Sequence, residues 1–118
     1  MTKVSFGKYG EGLASKFLQR KGYQIIERNF RIRGGEIDIV AIDGETLVYV
    51  EVKTRTSRKF GRPEEAVTIH KLNFLKRAAK FYRNNRRNLP SLERIDVVTV
   101  DLIDFNHPVF KLFKNASL

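Results

Sequence analysis

The chain has 118 residues and a mass of 13.7 kDa, the size of a single domain spanning 1–118 and enough to bury a core without staples. It contains no cysteine and two histidines, which excludes disulfide frameworks, thiolate zinc sites and cysteine nucleophiles and leaves little material for a histidine metal centre. Lysine and arginine number 23 against 13 acidic residues, a formal net charge of +10 that calls for a polyanionic partner, with nucleic acid first in line.

With 42% hydrophobic and 31% charged residues, the composition is that of a soluble globular protein rather than a disordered chain. No apolar run approaches the roughly 20 residues that a membrane span requires. Met1 to Gly10 also lacks the apolar core of a signal peptide, so a cytoplasmic protein without a membrane partner is expected.

Phe6, Gly10, Leu13, Ala14, Phe17 and Leu18 recur at helical spacing and predict a first helix over 6–21, with Ser5 as its N-cap and Gly22 as its stop. Glu11 falls about 20° from Leu18 on the helical wheel, at the edge of the apolar stripe, where it can look into whatever the helix packs on. Tyr23 to Phe30 reads as a strand, and Arg31 to Gly35, with Arg31 and Arg33, as a basic glycine-containing loop. Glu36 to Ile42 and Glu45 to Lys53 read as two strands joined at Asp43-Gly44, a strong hairpin signal. Pro63 with Glu64 and Glu65 predicts a short helical turn. A second helix follows over 68–84, burying Leu72, Leu75, Ala78, Ala79 and Tyr82. Glu93 to Leu102 and Val109 to Phe113 complete the chain as strands. The order αβββαββ predicts an α/β protein with a mixed sheet flanked by helices.

If Asp43-Gly44 is a two-residue loop, Ile42 pairs with Glu45, Glu36 faces Glu51 and Asp38 faces Tyr49. Alternation then projects Glu36, Asp38, Tyr49, Glu51 and Lys53 from one face and Ile37, Ile39, Val48, Val50 and Val52 from the other. Three carboxylates on one strand pair repel each other unless a positive charge lies between them. A divalent cation fits: Asp38 and Glu51 supply hard oxygen ligands, the Val52 carbonyl another, and waters complete a Mg2+ or Mn2+ site. Lys53, two residues beyond Glu51, puts an ammonium beside the water that such a metal activates for phosphodiester hydrolysis.

Asp38, a hairpin and then Glu51-Val52-Lys53 resemble the PD-(D/E)xK nuclease superfamily, although no proline precedes Asp38. The wider set Gly10-Glu11, Asn29-Phe30-Arg31, Gly35-Glu36-Ile37-Asp38, Val50 to Arg55, Phe60-Gly61, Glu65-Ala66-Val67 and Asp96-Val97-Val98 resembles the YraN family of bacterial proteins over nearly the whole chain. That family is similar in fold to archaeal Holliday-junction resolvases. The resemblance implies a restriction-endonuclease-like core and metal-dependent cleavage of DNA, including branched DNA. It also implies Glu11 as the first-helix acid, Asp38 and Glu51 as metal ligands and Lys53 as the catalytic lysine.

Against these roles stand plainer ones. Asp38, Glu51 and Lys53 could form a solvent-facing salt bridge, Glu11 could serve the helix dipole, and Glu36 is either a ligand through water or an exposed strand residue. Arg55, Arg58, Lys59 and Arg62 follow the lysine as a basic run suited to phosphate contact. Lys71 lies between Ala78 and Tyr82 on the helical wheel, from where it reaches a phosphate or the acidic cluster. The leading expectation is a small metal-dependent deoxyribonuclease. Its rival is a nucleic-acid-binding module of the same fold that does not cut, and a protein-interaction or membrane-surface role comes third. A resolvase-like mechanism would further require two symmetric sites, hence a homodimer.

Overall fold

A computed structural model describes residues 2–57 and 68–116. Seven elements follow in chain order: α1 (Lys3–Arg20), β1 (Gln24–Ile32), β2 (Gly35–Asp43), β3 (Thr46–Arg55), α2 (Ile69–Asn84), β4 (Leu92–Asp101) and β5 (Val109–Phe113). The five strands form one sheet in the order β1-β2-β3-β4-β5. Among the described strands only β3 and β4 run parallel, with α2 between them in the chain; the other neighbours are antiparallel. The mixed sheet and the order αβββαββ are those expected from the sequence.

The helices cover opposite faces. Ala14 and Leu18 of α1 pack with Ile39, Ala41, Val48, Val50, Val98 and Val100. On the other side, Phe74, Leu75, Ala78, Ala79 and Tyr82 of α2 pack with Ile37, Val40, Leu47, Tyr49 and Ile95. With both faces covered, β2 and β3 read as near-continuous buried runs, so their two-residue alternation is hidden in the sequence by hydrophobic residues on both sides.

Four local readings are corrected. Helix α1 begins earlier, at Lys3, and its cap is Thr2, whose hydroxyl accepts the Ser5 N–H at 3.1 Å. Strand β1 continues to Ile32, which pairs with Gly35, so the basic loop shrinks to a turn at Arg33-Gly34 and Arg31 lies on the strand opposite Glu36. The β2–β3 turn is Gly44-Glu45 rather than Asp43-Gly44, since Asp43 pairs with Thr46 and Val40 faces Tyr49. A positive φ at the first turn residue, Gly44, suits a type II′ turn, and the register moves by two residues with parity unchanged. The expected helical turn at Pro63, Glu64 and Glu65 lies outside the described residues.

The fourth correction concerns faces. Val48, Val50 and Val52 do share the α1 face with Ile39, as expected, but Ile37 packs on the α2 face. Strict alternation would keep Ile37 and Ile39 together, so β2 must reset its inside-outside pattern between them. The reset occurs at Asp38, and β1 resets beside it. Arg28 faces Ile39 and approaches Gly12 of α1, Asn29 bonds to α1, and Phe30, opposite Ile37, packs on the α2 side. Asn29 has a φ of +56°, a left-handed conformation that turns the strand over at this point.

Candidate metal centre

The paired reset of β1 and β2 turns Asp38 out of its expected face and toward α1. Helix α1 comes close to β3 at Gly10, where a Cβ would collide with the side chain of Thr54. That close approach carries the next residue, Glu11, over the reset. Glu11, Glu36 and Asp38 each place a carboxylate oxygen within 4.8 Å of the others, a group that can hold a metal ion. Glu11 and Asp38 are both 8% exposed, whereas Glu36 lies nearer the surface and pairs with Arg31 at 3.1 Å.

Asp38 is anchored from β3. Its Oδ2 accepts the Val52 N–H at 2.8 Å, beyond the last ladder pair between Ile39 and Val50. The side chain therefore takes a bond that a regular antiparallel ladder would give to a carbonyl, and it opens the strands where the carboxylates gather. Burial pushes the Asp38 carboxyl up to about 8, with the Glu51 charge adding to the rise and the Val52 N–H opposing it. Glu11 raises it further, by its charge and by a hydrogen bond to Asp38.

Glu51 is only 3% exposed and belongs to the same electrostatic cluster. Its Oε1 receives two ammonium groups, Lys53 Nζ at 3.3 Å and Lys71 Nζ at 3.4 Å. Its Oε2 is buried with no hydrogen-bond partner among the described residues. A buried carboxylate oxygen left unpaired costs of the order of 1–3 kcal/mol, so it is a strong place for a cation. Thus Glu51 and Lys53 of β3 and Lys71 of α2 converge on one oxygen, while Glu11, Glu36 and Asp38 form a second group beside them.

A family model described as "Uncharacterised protein family UPF0102" matches residues 10–100. The chain belongs to this family. It is 43% identical to a UPF0102 protein of Caldicellulosiruptor saccharolyticus, with 98% of this chain and 99% of that protein covered. It is 51% identical to a UPF0102 protein of Geobacter metallireducens over 81% of this chain and 79% of that one. A UPF0102 protein of Beutenbergia cavernae is 49% identical over 83% of each chain. This is the family that the motif set resembles, and every acidic and basic group of the UPF0102 cluster described above falls inside the matched segment.

The remaining residues singled out in the sequence divide. Tyr49 lies on the α2 face but away from the acids, donating its hydroxyl to Glu93 at 3.1 Å. Arg33 is exposed at the β1–β2 turn. Arg55 bonds to Asp101 across the β3–β4 pair, with Nη2 at 3.1 Å from Oδ2, so part of its charge is engaged in the sheet. Arg58, Lys59 and Arg62 lie outside the described residues. On α2, Lys76, Arg77 and Lys80 are exposed, as expected of a polar helix face. Arg86, just beyond α2, is half-buried, stacks over Tyr82 with 3.8 Å between its guanidinium carbon and the ring centre, and pairs with Glu27 at 3.0 Å.

Asn29 and Asp96 stand in the motif set that resembles the YraN family, but the contacts they make were not legible in it. Asn29 donates from Nδ2 to Glu11 Oε2 at 3.1 Å; nothing in its spacing separates it from an ordinary strand residue. Asp96, fully buried, accepts from Arg94 Nε at 2.8 Å, from the Tyr23 hydroxyl at 2.8 Å and from the Asn115 N–H at 3.0 Å. With its partners in place this buried acid is a structural clamp, tying β4 to Tyr23 and to Asn115, two residues beyond β5. No described helix is long and apolar enough to cross a membrane.

Proposed function

We propose that this protein is a metal-dependent nuclease that hydrolyses DNA phosphodiester bonds, with branched DNA among its substrates. The observation that carries the proposal is Glu51: a carboxylate buried beside Asp38, with one oxygen facing two lysines and the other without a hydrogen-bond partner among the described residues. A salt bridge on the surface would be hydrated and worth little. This carboxylate instead sits where a dication would offset both its own burial and the repulsion from Asp38.

Asp38 and Glu51 supply the hard oxygen donors that Mg2+ or Mn2+ prefers, and the Val52 carbonyl and waters would complete the shell. Bound there, such an ion would supply a more acidic water and polarise the phosphate. Glu11 and Glu36 extend the carboxylate group on the α1 side, where they can hold water or a further coordination position. Lys53, at Glu51 Oε1, would orient the attacking water or stabilise charge growing on the phosphate, and Lys71 brings a second cation to the same oxygen. The segment that carries Glu51, Lys53 and Lys71 has the right sign for a polyanion, because residues 51–90 contain twelve basic and three acidic side chains. The resemblance of Asp38 and Glu51-Val52-Lys53 to the PD-(D/E)xK pattern, and the similarity in fold that the YraN resemblance implies to archaeal Holliday-junction resolvases, support the same reading. Two such sites acting on a four-way junction would require a dimer.

The test is cleavage of labelled duplex, single-stranded, flap and four-way-junction DNA with Mg2+ or Mn2+, comparing wild type with Asp38→Ala and Lys53→Ala. Metal-dependent cutting that both substitutions abolish is the expected result. Binding without cutting, unchanged in both variants, would instead make the protein a nucleic-acid-binding module and the carboxylates part of its scaffold.

A further inference from the structure

We propose that Asn29 is a positioning residue for the metal centre, holding the Glu11 carboxylate over Asp38; this rests on the metal-binding reading of the cluster. Two independent observations meet at Asn29. Its backbone has a φ of +56° inside a strand, where a non-glycine residue ordinarily has negative φ. Its side chain crosses to α1 and donates to Glu11 Oε2 at 3.1 Å. Asparagine is among the few residues that tolerate the left-handed region and also carries an amide donor. Serine or alanine would lose one or both properties.

The geometry gives this pairing a purpose. Register places Asn29 between the pairs Arg28–Ile39 and Phe30–Ile37, opposite Asp38. The same turnover of the strand therefore aims Asn29 at α1 and gives Asp38 room to leave its regular face. Glu11 has a flexible side chain and stands among like charges, with Asp38 and Glu36 each offering an oxygen within 4.8 Å. Its hydrogen bond to Asp38 holds only while that carboxyl keeps its proton; with both ionised, repulsion would swing Glu11 outward. An amide donor on one oxygen keeps the carboxylate inward and leaves its other oxygen for the cluster, the role that outer-shell donors play for metal-ligating carboxylates. Asn29 acts on the cluster through Glu11.

Asn29→Gly separates the two properties, because glycine accepts the left-handed backbone and removes only the amide. The full-length protein is titrated with Mn2+ by electron paramagnetic resonance as wild type, Asn29→Gly, Glu11→Ala and the double variant, with thermal unfolding recorded for each. The expected pattern is an Asn29→Gly protein that melts close to wild type and binds Mn2+ about tenfold more weakly, the lower end of the usual effect of removing an outer-shell partner. In the Glu11→Ala background the same substitution should add nothing. Wild-type Mn2+ affinity in Asn29→Gly, or an equal loss with and without Glu11, would overturn the positioning role while leaving the metal centre intact. A wild-type protein that binds no Mn2+ would refute the metal centre and this role together.

Discussion

Asp38→Asn should stabilise the metal-free protein, and increasingly so as pH rises. The carboxyl is buried beside Glu51 and Glu11, which pushes it from the ordinary 3.8 up to about 8. Below pH 4 it is protonated in both the folded and unfolded chain and costs nothing. Between about 4 and 8 the unfolded chain releases the proton while the folded one keeps it, so stability falls with increasing pH; above 8 the loss is complete. At about 1.4 kcal/mol for each tenfold change in proton affinity, that interval caps the cost at about 6 kcal/mol. Relaxation and water entry reduce such figures, and about 3 kcal/mol, or roughly 10 °C in Tm, is the working expectation for a domain of this size. Asparagine retains an oxygen to accept the Val52 N–H, so the β3 anchor survives the substitution. The assay is thermal unfolding of both proteins from pH 5 to pH 9 with chelator present. The variant's advantage should widen up to about pH 8 and then level off. Curves that stay parallel across this range would refute the idea that Asp38 is held in the cluster at a cost to folding.

Other consequences can be measured on the same material. Because Asp38 must lose its proton to bind a cation, Mn2+ affinity measured by calorimetry should rise about tenfold per pH unit below 8 and flatten above it. Gly10→Ala should cost about 1–3 kcal/mol in chemical denaturation by overpacking against Thr54. It should also weaken Mn2+ binding by moving Glu11, and unchanged affinity would show that the close approach of α1 is not what places that acid. Arg94→Ala strands the buried Asp96 carboxylate and should cost about 3–5 kcal/mol. Since that clamp lies apart from the acidic cluster, Mn2+ affinity of the folded variant should match wild type.

Much of the architecture is legible in the residues themselves, for identifiable reasons. Helices α1 and α2 carry apolar stripes at helical spacing, and the strands are runs of Ile and Val bounded by glycine and asparagine turns, so element order follows from pattern alone. The face assignment of β2 does not. Alternation is the only rule available for a strand read in isolation, and it places Ile37 with Ile39; the reset at Asp38 arises from a partner strand turned over at Asn29, a tertiary cause with no local signal. The hairpin register slipped for a related reason: Asp43-Gly44 and Gly44-Glu45 are both two-residue turns with a glycine, and pairing energy across the whole ladder chooses between them. Glu11, Glu36, Asp38, Glu51, Lys53 and Lys71 were visible as chemistry-bearing side chains because acids are costly within valine-rich strands and because a lysine on an inner helix face needs a partner. Their division into a carboxylate group on the α1 side and a lysine-flanked Glu51 on the α2 side was hidden, since it depends on the same reset.

The most direct test of the metal centre is crystallographic: crystals soaked in Mn2+ near pH 8, with data collected at the manganese edge. The anomalous map should show a peak at coordinating distance from the Asp38 and Glu51 carboxylates and the Val52 carbonyl, and Asp38→Asn crystals should lose it. A wild-type map with no peak there, at full soak occupancy of other surface sites, would contradict the metal centre on which the proposed nuclease depends.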